Sequence, residues 1–131
     1  VAWRGSLDDA IEKLANKVIG SAIEVHRILG PGYIENVYEE ALVREFHLRN
    51  IPFERQKIID IRYKGFSIGE GRLDLLIDHK IIVELKSVEK LMPIHNVQVH
   101  SYLKATELQL ALLINFNVLL LRDGIKRIIL T

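Results

Sequence analysis

Cysteine is absent from this chain of 131 residues. That rules out disulfides and thiolate metal sites and fits a reducing compartment, so the expected location is cytoplasmic. No apolar run approaches the roughly 20 residues that span a bilayer, so no membrane partner is expected. The opening residues, Val1 to Ser6, carry no apolar stretch of the secretory kind. The start at Val1 rather than Met points to a trimmed chain or a piece of a longer one. Net charge is nearly absent, at +1. Proteins that hold a duplex through charge alone are usually more basic, so any nucleic-acid surface has to be a local one. What remains is a chain with 49% hydrophobic and 27% charged residues. That composition is globular, and the length fits one domain, residues 1–131, around one core. No repeat, linker or low-complexity segment interrupts it.

Proline is scarce, and Pro31, Pro52 and Pro93 all stand near helix boundaries. Residues 7 to 29 repeat apolar side chains at helical spacing, from Leu7 and Ile11 through Val18, Ala22 and Val25 to Leu29. Ser6 or Asp8 can cap this helix, and Gly30-Pro31-Gly32 stops it. A second helix is expected over about 34 to 49, ending at Asn50 before Pro52. Strand signals follow at 53 to 63 and 66 to 70, joined by a turn at Lys64-Gly65, and then at 71 to 77 and 81 to 86. A third helix is expected over about 94 to 106 and an apolar strand over 109 to 116. A final hairpin is expected, 118 to 122 and 125 to 130, turning at Asp123-Gly124. Helices and strands in this order predict an α/β or α+β domain with a central mixed sheet.

The runs 71 to 77 and 81 to 86 hold charges where buried strands should have none. Asp74, Glu84 and Lys86 interrupt branched apolar residues, and such groups are rarely buried unless paired or coordinating. If Ile77 opposes Ile81 across the loop Asp78-His79-Lys80, then Asp74 opposes Glu84 and Lys86 shares their face. The other face then carries Leu73, Leu75, Ile77, Ile81, Val83 and Leu85. A two-residue turn would split the acids between faces unless a bulge restored parity. In the favoured register the carboxylates stand about 4.5–5.5 Å apart at Cβ, room enough for a divalent ion with oxygen distances of about 2.0–2.1 Å. Such an ion would offset their repulsion, activate water and polarise a phosphoryl oxygen, with Lys86 stabilising the developing charge. For any one of the three alone, an ion pair or a solvated strip at a sheet edge is the competing explanation.

Asp74 followed by Glu84-Leu85-Lys86 on the next strand resembles the signature of the PD-(D/E)XK nucleases, with Leu73 where that name has its proline. Upstream, Gly32-Tyr33-Ile34-Glu35-Asn36-Val37-Tyr38 reads Gly-x-x-Glu-x-x-Tyr. Together with Gly-Arg-Leu-Asp-Leu-Leu and Val-Glu-Leu-Lys, it is similar to the small GxxExxY family of that superfamily over about 18 to 130. Trp3 falls outside this region. The resemblance implies a restriction-endonuclease-like core, with a four-stranded mixed sheet flanked by helices. It implies Mg²⁺ or Mn²⁺ held by Asp74, Glu84 and the Leu85 carbonyl, with Lys86 as the catalytic lysine. It also implies a helical carboxylate completing the site. Glu35 is the motif's own acid and Glu39, one turn on, is a second candidate; a first-turn acid answering the helix dipole is the plain account of Glu35.

Gln98 and Tyr102 share a helix face four residues apart and look like the Gln-x-x-x-Tyr element of several nuclease branches. Gln98 would help complete the site, and Tyr102 would support substrate or simply pack. Tyr38 and Arg72, inside the matching motifs, are candidate substrate contacts. His95 and His100 are five apart and so do not form a zinc pair; both are expected at the surface or on the substrate side. Arg44, Arg49, Arg55, Lys57, Lys90 and Lys104 could form a phosphate-binding rim. For each singly, a solvated face balanced by Glu39, Glu40, Glu45 and Glu54 is the better account. The leading expectation is a metal-dependent nuclease hydrolysing nucleic acid, DNA first. The alternative is a non-catalytic nucleic-acid-binding or regulatory module on the same fold. A homodimer through the wide apolar face of the first helix, with Val25 beside Ile28 and Leu29, is a third class.

Overall fold

The computed structural model describes residues 7–130; Trp3 and the candidate cap Ser6 lie outside them. Helix α1 spans Asp9–Leu29, with Asp8 accepting the Ile11 N–H at 2.9 Å, as an N-cap acid should. Gly30, at φ 70, ends it with its N–H on the His26 carbonyl. Helix α2 spans Glu35–Leu48. Strands β1 (Phe53–Tyr63) and β2 (Phe66–Ile77) form a long ribbon, so the segments expected at 66 to 70 and 71 to 77 are one strand. Strand β3 (Ile81–Lys86), helix α3 (Pro93–Thr106), β4 (Leu110–Asn115) and β5 (Ile125–Ile129) complete the chain.

The sheet order is β1-β2-β3-β4-β5. β3 and β4 run parallel, joined through α3, and the other neighbours are antiparallel, so the sheet is mixed. It has one strand more than the four expected. β3 and β4 are covered on both faces, which is why they read as near-continuous apolar runs. On one face α1 and α2 pack Val18, Ala22, Tyr38, Leu42 and Phe46 against Leu75, Ile77, Val83, Leu85, Leu112 and Ile114. On the other, Val99 and Leu103 of α3 meet Leu73, Leu76, Ile82, Ala111 and Leu113. Val25 is spent on the first core and Leu29 packs against it, leaving Ile23 and Ile28 as exposed apolar groups on α1. No helix among the described residues is long and apolar enough to cross a membrane.

The expected hairpin at 118 to 122 does not form. Leu119 and Leu120 are exposed, a 3-10 turn occupies Leu121–Gly124, and β5 pairs with β4 instead. The open edge of β4 offers a longer ladder than a short two-stranded hairpin could. Gly124 fits there because it has no Cβ: one built on it would fall 2.1 Å from the Asn115 carbonyl oxygen. Gly124→Ala is therefore expected to cost about 3 kcal/mol or more, the upper end of overpacking penalties, read as a lowered urea midpoint.

Candidate active site

The turn after β2 has the expected odd length. Ile77 pairs with Ile81 and Leu76 with Ile82. Asp78 and His79 take φ of 49 and 58, and the Lys80 N–H closes on the Ile77 carbonyl at 2.9 Å. Asp tolerates this left-handed region better than most residues. The β2–β3 ladder then ends at Leu75–Val83, and the β1–β2 ladder omits the pair Gln56–Asp74. At that gap Asp74 uses its side chain where a regular strand would use its backbone. Its Oδ2 accepts the Leu85 N–H at 2.8 Å, and its own N–H donates to Glu84 Oε1 at 3.2 Å.

The gap corrects two expectations: Asp74 does not oppose Glu84 as a ladder pair, since pairing stops at Leu75–Val83 and the two meet through the Asp74 N–H and Glu84 Oε1 instead, and the apolar face is not continuous. Leu73 does not share a face with Leu75 and Ile77: it packs with Leu76 and Ile82 toward α3, whereas Leu75 packs toward α1 and α2. Alternation therefore reverses at Asp74, where pairing lapses on both sides. Beyond the last β2–β3 pair, the Leu85 N–H points into the fork between the strands. N–H and C=O of one strand residue point the same way, so the Leu85 carbonyl faces that fork as well.

Glu84 is buried, at 6% exposure, in a strand whose other buried residues are all apolar. Its carboxyl is pushed up to about 9, first by burial and then by the Asp74 charge and carboxyl group; Lys86 opposes this. Glu35 remains exposed at the start of α2, yet its carboxyl is also raised, by partial desolvation, then by the Asp74 charge, against the pull of Lys86. The charges of Asp74 and Lys86 therefore act on both Glu35 and Glu84.

The Gly-x-x-Glu-x-x-Tyr segment explains how Glu35 gets there. Tyr38 is fully buried, stacks on Phe116 at 4.5 Å, donates its hydroxyl to the Gly30 carbonyl at 2.6 Å and accepts the Tyr33 N–H at 3.2 Å. Ser87, just past β3, donates to the Tyr33 carbonyl at 2.5 Å. Gly32, at φ 108, lets the chain make this bend. The loop is thus fastened at both ends of Tyr33, and Glu35 follows two residues later. Tyr38 exposes no surface to a ligand, so the expectation that it contacts substrate is corrected to a structural one. Tyr38→Phe is expected to cost about 1 kcal/mol, the net worth of an ordinary hydrogen bond, read as a lowered urea midpoint.

Glu39 is not free for a ligand. Its Oε2 accepts from Arg55 Nε (3.1 Å) and Nη2 (2.9 Å), and its Oε1 from Gln56 Nε2 (2.9 Å). Of the two helical acids, Glu35 is the one left available. Arg72 is exposed on β2, two residues from Asp74, and Gln98 is exposed on α3. Tyr102 rests over β2 at Gly71, where a Cβ would come within 2.9 Å of its ring. His95 accepts the Met92 N–H at 2.9 Å and caps α3. Of the basic rim, Arg49, Arg55 and Lys57 are paired with Glu45, Glu39 with Glu40, and Glu54 respectively; Arg44, Lys90 and Lys104 are exposed. Sequence reasoning missed Asn115, which is buried and fastens the segment after Lys86 by bonds to the Val88 N–H and carbonyl, both 3.0 Å. Its signal was a polar residue closing an apolar run, the same kind that exposed Asp74.

Among the described residues no three His, Asp or Glu side chains gather tightly enough to hold a metal by themselves. Two carboxylates and a carbonyl fit Mg²⁺ or Mn²⁺, which fill their remaining positions with water and phosphate oxygens, better than zinc. A family model described as the PD-(D/E)XK nuclease superfamily matches residues 12–128. The chain belongs to the PD-(D/E)XK nuclease superfamily. The five-stranded mixed sheet and three α-helices of the described residues form the restriction-endonuclease-like α/β fold of that superfamily. Membership points to nucleic acid as the substrate class. No curated protein and no solved structure matches the chain.

Proposed function

We propose that this chain is a metal-dependent phosphodiesterase that hydrolyses nucleic acid, with DNA the first substrate to test. Within the superfamily, the spacing of Gly32, Glu35 and Tyr38 groups it with the GxxExxY proteins. The observation that carries the function is the Asp74–Glu84 pair at the strand fork. A buried carboxyl that keeps its proton to about pH 9 beside a second acid is a site where a divalent cation can take the proton's place.

Asp74, Glu84 and the Leu85 carbonyl are the assigned ligands, with Glu35 reaching the same centre from α2. The chemistry supplied by Mg²⁺ or Mn²⁺ held there is polarisation of a phosphoryl oxygen and a more acidic water. The Lys86 ammonium, on the same strand face as Glu84, orients the attacking water and offsets charge growing on the phosphate. Glu35 accepts a proton from that water through its raised affinity for one. Gln98 and Tyr102 line the α3 side and steady the substrate, and Arg72 meets a neighbouring phosphate.

The test is incubation of the purified protein with single- and double-stranded DNA and RNA, in Mg²⁺, in Mn²⁺ and in chelator. Cleavage that needs the cation and is lost in Lys86→Ala is the expected result. Failure to cleave any of the four substrates in either cation overturns the proposal and leaves the non-catalytic binding module.

A further inference from the structure

The structure assigns Gln56 and Glu39, two residues outside the nuclease signature, as positioning residues for Asp74; the assignment deepens the proposed nuclease site and rests on that reading. Gln56 is the residue across from Asp74 in the register of β1 and β2, at the one position between Phe53 and Ile61 where the ladder is interrupted. It has φ 50 inside a strand, a conformation that costs a residue with a Cβ and persists only when surroundings enforce it. The enforcement is visible. Gln56 Nε2 donates to Glu39 Oε1 at 2.9 Å, and Arg55 grips Glu39 Oε2 with two donors. Glu39 is itself buried on α2, four residues from Glu35. One acid thus fixes two consecutive residues of β1.

The consequence is a reversal of side-chain faces in both strands at one level. Before it, Phe53 packs toward α1 and α2, as does Leu75; beyond it, Ile59 and Leu73 pack toward α3. An odd separation on either strand would be ordinary, but 53 to 59 and 73 to 75 are even, so regular alternation would have kept each pair on one face. Asp74 lies on the turning point. Strict alternation would aim its N–H at β1, since the adjacent Leu75 pairs across β3 with Val83; instead it donates to Glu84 Oε1, while its carboxylate takes the Leu85 N–H. The left-handed turn at Gln56 releases Asp74 from β1, and this rotation delivers its carboxylate to the fork. The role belongs to the backbone conformation at 56, held by Glu39, rather than to contact with a ligand.

The experiment compares Gln56→Gly, which adopts φ 50 freely, with Gln56→Val, whose β-branch opposes it. Glu39→Ala removes the brace. The readout is amide hydrogen exchange of Leu85 in the metal-free chain, with the Val83 amide as internal reference, followed by Mn²⁺ affinity by calorimetry. Q56V and E39A are expected to speed Leu85 exchange at least tenfold relative to Val83. They should also weaken Mn²⁺ by about 10- to 100-fold, the range for residues that orient metal ligands. Q56G should stay near the wild-type values in both. Unchanged Leu85 exchange in folded Q56V or E39A overturns the assignment, as does Q56G losing as much as Q56V. If Q56V does not fold, the pair E39A and Q56G decides by the same criteria. The exchange measurement needs neither metal nor cleavage, so a wild-type protein that protects Leu85 through Gln56 but cuts no nucleic acid would sink the nuclease proposal alone.

Discussion

Asp74→Ala and Glu84→Ala are each expected to abolish hydrolysis while leaving the fold in place. Removing an outer partner of a metal ligand costs up to about 100-fold, so loss of an assigned ligand itself should exceed that. The fold should survive because neither residue carries the core. Asp74→Ala orphans the Leu85 N–H, for which about 1–3 kcal/mol is the general cost, and Glu84→Ala removes a buried acid that sits beside another. Paired measurements decide: steady-state cleavage in Mn²⁺, and circular dichroism with urea titration. Cleavage within about 10-fold of wild type in either folded variant would remove that residue from the ligand set.

The second large effect is on stability, and its sign is opposite. Glu84 has a folded-state affinity for its proton far above that of an ordinary carboxyl, near 4.5 when unperturbed and about 9 here. Between those values the folded chain holds a proton that the unfolded chain has released. Stability is therefore full below the ordinary carboxylate range and falls as pH climbs toward 9. At about 1.4 kcal/mol per pH unit, about 4 kcal/mol separates pH 5 from pH 8 for the metal-free protein. Glu84→Gln keeps the volume without the charge, so it should flatten that slope and be the more stable protein at the alkaline end, though inactive. If Glu84 is a ligand as proposed, cation and proton compete for its carboxyl, so Mg²⁺ or Mn²⁺ should stabilise the wild type more at pH 8 than at pH 5 and should do little for E84Q. Urea midpoints at the two pH values, with chelator and with Mn²⁺, measure all of this. A wild-type curve that is flat in pH without metal would contradict the account of Glu84.

The same residue shows why so much could be read before any coordinates. A charge inside an apolar strand violates the burial rule, and the violation is visible in one dimension. Helix boundaries were similarly legible, because Asp8, Gly30 and Pro93 act locally. The register next to the turn, Ile77 with Ile81 and Leu76 with Ile82, followed from a three-residue loop, but the single apolar face expected through Leu73 did not hold. The reversal at Gln56 was not legible: nothing about a glutamine between Arg55 and Lys57 announces φ 50, which arises from a buried acid 17 residues upstream. Nor was the fate of 118 to 122, where local turn chemistry predicts a hairpin and the free edge of β4 takes β5 instead. Tyr38 was misassigned for a related reason. The motif marks it as important, but only the tertiary fold shows that its hydroxyl is spent on Gly30 and Tyr33.

The central claim is that Asp74 and Glu84 form one divalent-cation site. Crystals of the wild-type protein soaked in Mn²⁺ near pH 8, with anomalous data collected for manganese, test it most directly. The account predicts a peak in the fork between β2 and β3, about 2.0–2.2 Å from oxygens of both carboxylates, within reach of the Leu85 carbonyl, and absent from E84Q crystals. No peak at that fork, or a peak that persists in E84Q, would contradict it.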